Sequence, residues 1–248
     1  MRSHLKLMHM SAKTGMRQNK DLSSFMRDDA LDCICPDGTR EKMDAGSMKR
    51  MKFIGITGGV GAGKTEILKY LAGREDTKVM LADDIARELS EPGQSCNEKL
   101  QELFAGTDVF DEKGKMNRPK AAAIIFKDEA RRNGMNEILH PAVKEYVLHV
   151  LEQEKEEGRL RYLVLEAALL IEEHYDEICD ELWYIYTREE IREARLMESR
   201  GYSREKVQQI FSSQLKEAEY RKHCSVVIDN NEGLEEMQRQ IDAAVCAI

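Results

Sequence analysis

No apolar run in this 248-residue chain approaches the roughly 20 residues that a membrane helix requires. The longest candidate, Tyr162 to Leu165, is strand-sized. The first 50 residues also lack the apolar centre of a secretory signal, so export is not expected and a cytoplasmic location is. Cysteine is present but unorganised. Cys33, Cys35, Cys96, Cys179, Cys224 and Cys246 show no disulfide framework, and Cys33-x-Cys35 is too tight for a zinc knuckle, which needs roughly two to four intervening residues. The expectation is free thiols in a reducing compartment. No metal-ligand cluster and no histidine–carboxylate or cysteine–histidine spacing signals nucleophilic catalysis. Positive charge is scarce where nucleic acid would need it. Residues 1 to 50 carry 10 Lys and Arg against 7 Asp and Glu, whereas the remainder carries 28 against 39. An acidic body of net −11 speaks against a nucleic-acid footprint and leaves a small anionic substrate dependent on a local basic pocket.

Hydrophobic residues at 42% and charged residues at 34% describe a soluble globular protein, long enough for one α/β domain of about 200 residues. Its most specific signal is Gly58-x4-Gly63-Lys64-Thr65, a complete phosphate-binding loop signature. Glycines let the backbone curl until successive N–H groups point at phosphate oxygens, and the following helix adds its positive N-terminal end. Lys64 can reach the β- and γ-phosphates, and Thr65 offers a hydroxyl to Mg²⁺. The context fits, since Phe53-Ile54-Gly55-Ile56 reads as a buried strand and Glu66 to Leu71 as an amphipathic helix.

Residues 1 to 50 are polar and aperiodic, so the reading is disorder or a mis-assigned extension, with Met48 or Met51 as the expected start and a regulatory tail as the alternative. From Met51 onward strands and helices alternate, the pattern of a parallel sheet covered on both faces. Candidate strands are Lys52–Thr57, Lys78–Ala82, Arg161–Glu166, Glu181–Tyr186 and Val226–Asp229. Thr187-x-x-Glu190 reads as a capping box opening a helix to Ser199, and Ser203 as the cap of another ending near Phe211. The helical stretch from about 83 to 158 is too long for one crossover and is expected to form a subdomain beside the sheet. Pro141 is expected to bend or break its last helix.

Ligands of open α/β sheets bind beyond the carboxyl ends of the strands, which brings Asp83 and Asp84 into view. A hydroxyl attacking a γ-phosphate needs a carboxylate to orient it and take its proton. Equally, one of these aspartates could only cap the helix that follows. Arg87 could hold an anionic group or pair with Glu91. Glu166 ends a strand where a carboxylate would hold Mg²⁺ through water, or is an ordinary strand-end residue. Arg188, Arg192, Arg195 and Arg200 form either a lid over the phosphates or a solvated face paired with neighbouring glutamates. His140 stands before Pro141 in an apolar stretch, the usual setting of a structural histidine.

In their order these motifs resemble the dephospho-CoA kinase family. Its opening Gly-x-Thr-Gly-Gly-x-Gly-Ser-Gly-Lys-Ser/Thr is matched by Gly55 to Thr65 except at Ala62. Asp-Ala-Asp-x-Ile-Ala-Arg corresponds to Leu81-Ala82-Asp83-Asp84-Ile85-Ala86-Arg87. An acidic turn, Asp-Arg and Val-Phe correspond to Asp111–Gly114, Asn117-Arg118 and Ile125-Phe126. Leu139-His140-Pro141, Glu166-Ala-Ala-Leu-Leu-Ile-Glu172, Arg195-Leu196-Met197, Gln214 and Val227-Ile228-Asp229-Asn230 complete the series over nearly all of residues 51 to 248. The departures are Leu81 for the first aspartate, Glu166 for the strand-end aspartate, Ala168 for a proline, and an arginine displaced by one position, with Ser199 before Arg200.

The resemblance implies a three-layer P-loop kinase fold with a helical acceptor-binding part at about 83–158 and a helical lid at about 188–215. It implies transfer of the γ-phosphoryl of ATP to the ribose 3′-hydroxyl of dephospho-CoA, with Mg²⁺ accompanying ATP. The nucleotide would lie on Gly59, Gly61, Ala62, Gly63, Lys64, Thr65 and Glu66, with Asn230 near the adenine. Lys64, Asp83, Arg195 and Arg200 would act in catalysis; Asp83, Arg87 and His140 would take the acceptor; and Thr65 and Glu166 would serve the metal. No nucleic acid, membrane or obligate protein partner is expected.

Other classes fit less well. A GTP-hydrolysing switch needs Asn-Lys-x-Asp after the loop, yet Asn19-Lys20-Asp21 precedes it without the spacer. Asp111-x-x-Gly114 imitates a switch motif with no sheet strand leading into it. A kinase for another nucleoside or nucleotide would keep loop and lid but not the Asp83…Arg87 and His140-Pro141 series. A non-catalytic ATP-binding module would be expected to lose Asp83 or Lys64, and both are present.

Overall fold

The computed structural model describes residues 50–246, together with 33–34 and 40–41. The chain divides into two units, 1–48 and 49–248. In the first, β1 (Cys33–Ile34) and β2 (Arg40–Glu41) pair antiparallel, a ladder too short to leave a periodic trace in the sequence. The expected disorder or mis-assignment of this segment otherwise concerns residues outside those described.

In the second unit, β3 (Lys52–Thr57), β4 (Thr77–Leu81), β5 (Tyr162–Glu166), β6 (Glu181–Tyr186) and β7 (Val226–Asp229) form a wholly parallel sheet in the order β4-β5-β3-β6-β7. Alternate residues face opposite sides. Ile54, Ile56, Tyr162, Val164 and Trp183 pack beneath α1 (Lys64–Ala72) and α9 (Leu234–Cys246). Phe53, Leu163, Leu165, Leu182 and Tyr184 join a second core with Val143, Val147 and Leu151 of α5 (Glu129–Glu157) and Tyr220 of α8 (Glu217–His223). Each such fully buried side chain contributes about 1.5–3 kcal/mol. The result is the expected three-layer P-loop kinase fold.

Register decides what meets at the sheet's carboxyl edge. Glu166 lies level with Ile56 on one side and Leu81 on the other. The phosphate loop, Glu166 and the turn into Asp83 therefore emerge side by side. Between β4 and β5, the helices α2 (Ala82–Leu89), α3 (Asn97–Leu103) and α4 (Arg118–Ile125) build a separate small core with Leu100, Phe104, Met116 and Leu139 at its centre. After β6, α6 (Glu189–Arg200) and α7 (Arg204–Ser212) pack Leu196, Val207 and Phe211 against Val60 of the phosphate loop.

Several local expectations are revised. β4 starts and ends one residue earlier than read, because Ala82 already belongs to α2. The 29-residue α5 runs through Pro141 without a break. Proline removes one helical hydrogen bond, but Leu139, Val143, Val147, Val150 and Leu151 are buried along the helix and hold it in place. Thr187 is not a cap. Arg188 occupies the N-cap of α6 without a side-chain bond, and the Thr187 hydroxyl donates instead to Ala62 O at 3.0 Å. Ser203 does cap α7, accepting from Lys206 N. Asp111–Gly114 is a turn beside the isolated Phe110–Met116 bridge, outside the five-stranded sheet.

Candidate active site

The phosphate loop is braced from below by side chains distant in sequence. Ala62 O accepts from both the Thr187 hydroxyl at 3.0 Å and Asn230 Nδ2 at 2.9 Å. Gly63 has φ +87°, and a Cβ there would stand 2.3 Å from Asn230 Nδ2, so only glycine lets the loop close over this amide. Ala62 itself is buried with Ile67 and Leu71, so the methyl fits where the family pattern has serine. The N–H groups of Gly61 and Gly63 find no protein acceptor among the described residues. Those of Lys64 and Thr65 open α1, where no intrahelical acceptor exists. Together they form an anion-binding concavity at a helix N-terminus.

Above this loop lies a cleft of about 1060 Å³ lined by Lys64, Thr65, Asp83, Glu166, Arg195 and Arg200 among others. Lys64 Nζ donates to Gly58 O at 2.7 Å and stands 3.6 Å from Glu166 Oε1. Burial pulls the Lys64 ammonium below its ordinary pKa and pushes the Glu166 carboxyl above its own, each opposed by the partner's charge. Both shifts favour the neutral forms, so desolvation outweighs the mutual attraction. Glu166 and the Thr65 hydroxyl are hard oxygen donors in one cleft. Among the described residues no group of three or more His, Cys, Asp or Glu could hold a metal unaided. Such a set fits Mg²⁺, which binds through one or two carboxylates with substrate phosphates supplying the rest.

A second cavity, of about 430 Å³, opens on the α2–α5 side. Its walls are largely apolar, including Ile125, Leu139 and Val143, with Asp83, Arg87, Arg118, Asn136, His140 and Glu173 among its polar groups. His140 Nδ1 lies 2.7 Å from Glu173 Oε1, which fixes the ring and leaves Nε2 for another partner. Tyr175 also borders the cavity, its hydroxyl pushed up to about 12 by burial.

Asp83 lines both cavities. It does not cap its helix. Leu81 is the N-cap of α2, and Asp83 and Asp84 stand in the first turn. Arg87 pairs with Asp84 at 3.0 Å rather than with Glu91, which takes Arg118 at 3.3 Å. The arginines of α6 separate by position. Arg195 Nη2 donates to Asn230 O at 3.2 Å, while its Nη1 is buried without a hydrogen bond. Arg200, at the helix end, is exposed on the same cleft. Arg192 is buried against Gly59 and Val60. The solvated-face alternative thus holds for neither Arg192 nor Arg195. Glu173, Thr187 as a loop brace and the Arg192–Gln214 contact were not read from the sequence; the capping and pairing rules applied there look only a few residues ahead.

The sequence model of the Dephospho-CoA kinase family matches residues 52–236. The Dephospho-CoA kinase of Listeria innocua is 35% identical over 190 residues, 77% of this chain and 94% of that protein. The Dephospho-CoA kinase of Oceanobacillus iheyensis is 33% identical over 189 residues, 76% and 94% of the two chains. Among solved structures, TT1252 from Thermus thermophilus superposes with a TM-score of 0.67 at 27% identity, covering 81% of this chain and 99% of that one.

Proposed function

Since the chain belongs to the dephospho-CoA kinase family, we propose that it transfers the γ-phosphoryl group of ATP to the ribose 3′-hydroxyl of dephospho-CoA, giving CoA and ADP, the last step of CoA biosynthesis. The observation that carries the assignment of roles is Asp83, among the described residues the one ionisable side chain that lines both the phosphate-loop cleft and the apolar cavity. ATP lies along the loop with its γ-phosphoryl at Lys64. The acceptor's nucleoside end fills the cavity, and its hydroxyl reaches the donor past Asp83. The Asp83 carboxylate orients that hydroxyl and takes its proton as the oxygen attacks phosphorus.

We assign the remaining roles from position and, for Asn230, from the family resemblance alone. Arg87 meets the acceptor's anionic groups and His140 Nε2 its polar edge. Arg195 and Arg200 stand over the phosphates from the lid, at about 188–215, and Asn230 lies towards the adenine. Thr65, and Glu166 through water, would hold Mg²⁺, which when bound neutralises charge on the β- and γ-oxygens. The acceptor-binding part is the helical stretch at about 83–158. The lid excludes water, which would otherwise compete with the acceptor. Among the described residues no helix is long and apolar enough to cross a membrane; we place the reaction in the cytoplasm.

The test is an acceptor panel with ATP and Mg²⁺. Dephospho-CoA should be phosphorylated far faster than adenosine, AMP or water, with product carrying a 3′-phosphate. Comparable rates on adenosine or AMP would reassign the acceptor and leave the donor half standing.

A further inference from the structure

Arg192 projects from α6 beneath the outer side of the phosphate loop and is only 9% exposed. Its Nε donates to Val60 O at 2.9 Å and its Nη2 to Gln214 Oε1 at 2.6 Å. The same Gln214 oxygen accepts from Val60 N at 3.3 Å. The Val60 peptide is therefore held at both its donor and its acceptor by two side chains that also hold each other. The guanidinium lies 4.3 Å from the centre of the Phe211 ring, and a Cβ on Gly59 would be 2.1 Å from Nη2. Among the described residues no carboxylate comes within ion-pair distance of this cation.

A buried guanidinium ordinarily has an acidic partner, because an uncompensated charge is expensive to remove from water. Gln214 uses a single oxygen to accept both bonds, which a glutamate would do at least as well while cancelling the charge. A clamp that served structure alone would favour glutamate at this position. The site beside it supplies the reason for a neutral group. The charge of Arg192 bears on Lys64, whose ammonium sits at Gly58, the same end of the loop as Gly59 and Val60.

Building on the functional reading above, we propose that Arg192 and Gln214 form a charge-preserving clamp. Arg192 directs an unneutralised positive charge at the γ-phosphoryl end of the loop, and Gln214 is a positioning residue whose neutrality keeps that charge available. Charge there stabilises the triphosphate and the transferring phosphoryl more than it stabilises a diphosphate.

Gln214→Glu separates this from a structural brace, because it keeps both hydrogen bonds and removes only the net charge. The full chain should melt no lower than the parent. Its affinity for Mg-ATP, titrated without acceptor, should fall about tenfold or more while that for Mg-ADP changes little, and kcat should fall in parallel. Equal weakening for ATP and ADP, or parental turnover, would overturn the proposal. Should Gln214→Glu fail to fold, a second pair decides. Arg192→Lys keeps the charge and should retain the preference for ATP over ADP that Arg192→Met loses; identical behaviour of the two would refute it. Nucleotide titrations need no acceptor, so a parent inactive on dephospho-CoA would sink the acceptor assignment and leave this test intact.

Discussion

The two cavities that share Asp83 are built by different means. The cleft proposed for the donor is a backbone device: loop N–H groups and a helix N-terminus face it, and side chains just after β6 and β7, from α6 and from the segment around Gln214 hold the loop in shape. The cavity proposed for the acceptor is a side-chain device, an apolar hollow between α2, α4, α5 and the segment after β5, with charged and polar side chains such as Asp83, Arg87, Asn136 and His140 placed around it. Backbone recognition suits a phosphate chain common to all nucleotides. Side-chain recognition suits an acceptor that must be told apart from others, since a misplaced polar group then leaves a buried partner unpaired. The donor half should therefore tolerate few changes without losing catalysis, whereas the acceptor half should trade affinity and selectivity.

The largest effect expected is that of Lys64→Ala, which should lower kcat/KM by about 10³-fold or more with the circular dichroism spectrum unchanged. Near-parental turnover would remove the donor half of the comparison. His140→Ala should raise the KM for dephospho-CoA about tenfold, the value of one lost hydrogen bond, and leave the KM for ATP alone. A matching rise for ATP would mean that the cavities are not separate devices. Thr187→Val removes one of the two bonds to Ala62 O and should raise the KM for ATP roughly threefold, with a melting temperature lower by about 2–4 °C. An effect confined to the acceptor would contradict the brace.

The smallest effect concerns the Lys64–Glu166 pair. Glu166 has its folded pKa raised, so the stability it contributes is present below the ordinary carboxylate range and is lost as pH rises through the raised value. Lys64 has its folded pKa lowered and stays protonated in both states over the acid range, where its contribution is flat. The double variant Lys64→Met/Glu166→Gln should thus melt at or above the parent near neutrality, with the gap narrowing as pH falls to about 4. A gap that widens in acid would reverse the sign assigned to burial.

What the sequence made legible divides along the same line. The phosphate loop reads directly because its chemistry is local: Gly58 to Thr65 supply turn, helix start, lysine and hydroxyl within eight residues. Asp83 and Glu166 were legible as strand ends, and the carboxyl-edge rule placed them together without knowledge of the order β4-β5-β3-β6-β7. The braces were not legible. Thr187 and Ala62 are 125 positions apart, Val60 and Gln214 are 154 apart, and no spacing pattern relates them. Glu173 was hidden because its partner lies 33 residues away on a helix expected to bend or break at the next residue. Pro141 misled because a local rule about one missing hydrogen bond was outweighed by five buried side chains along α5. Thr187 misled in the converse way, matching a capping pattern while its hydroxyl served the loop.

On the proposed assignment Asp83 acts on the reacting hydroxyl between the two cavities, and its part in taking the acceptor is to orient that hydroxyl rather than to supply affinity. Asp83→Asn tests this most directly when three quantities are measured on one preparation: the dissociation constants of Mg-ATP and dephospho-CoA, and the single-turnover rate of phosphoryl transfer from the ternary complex. Both dissociation constants should stay within a few-fold of the parent while the transfer rate falls by about 10² or more. A parental transfer rate with weakened dephospho-CoA binding would make Asp83 an acceptor ligand and contradict the account.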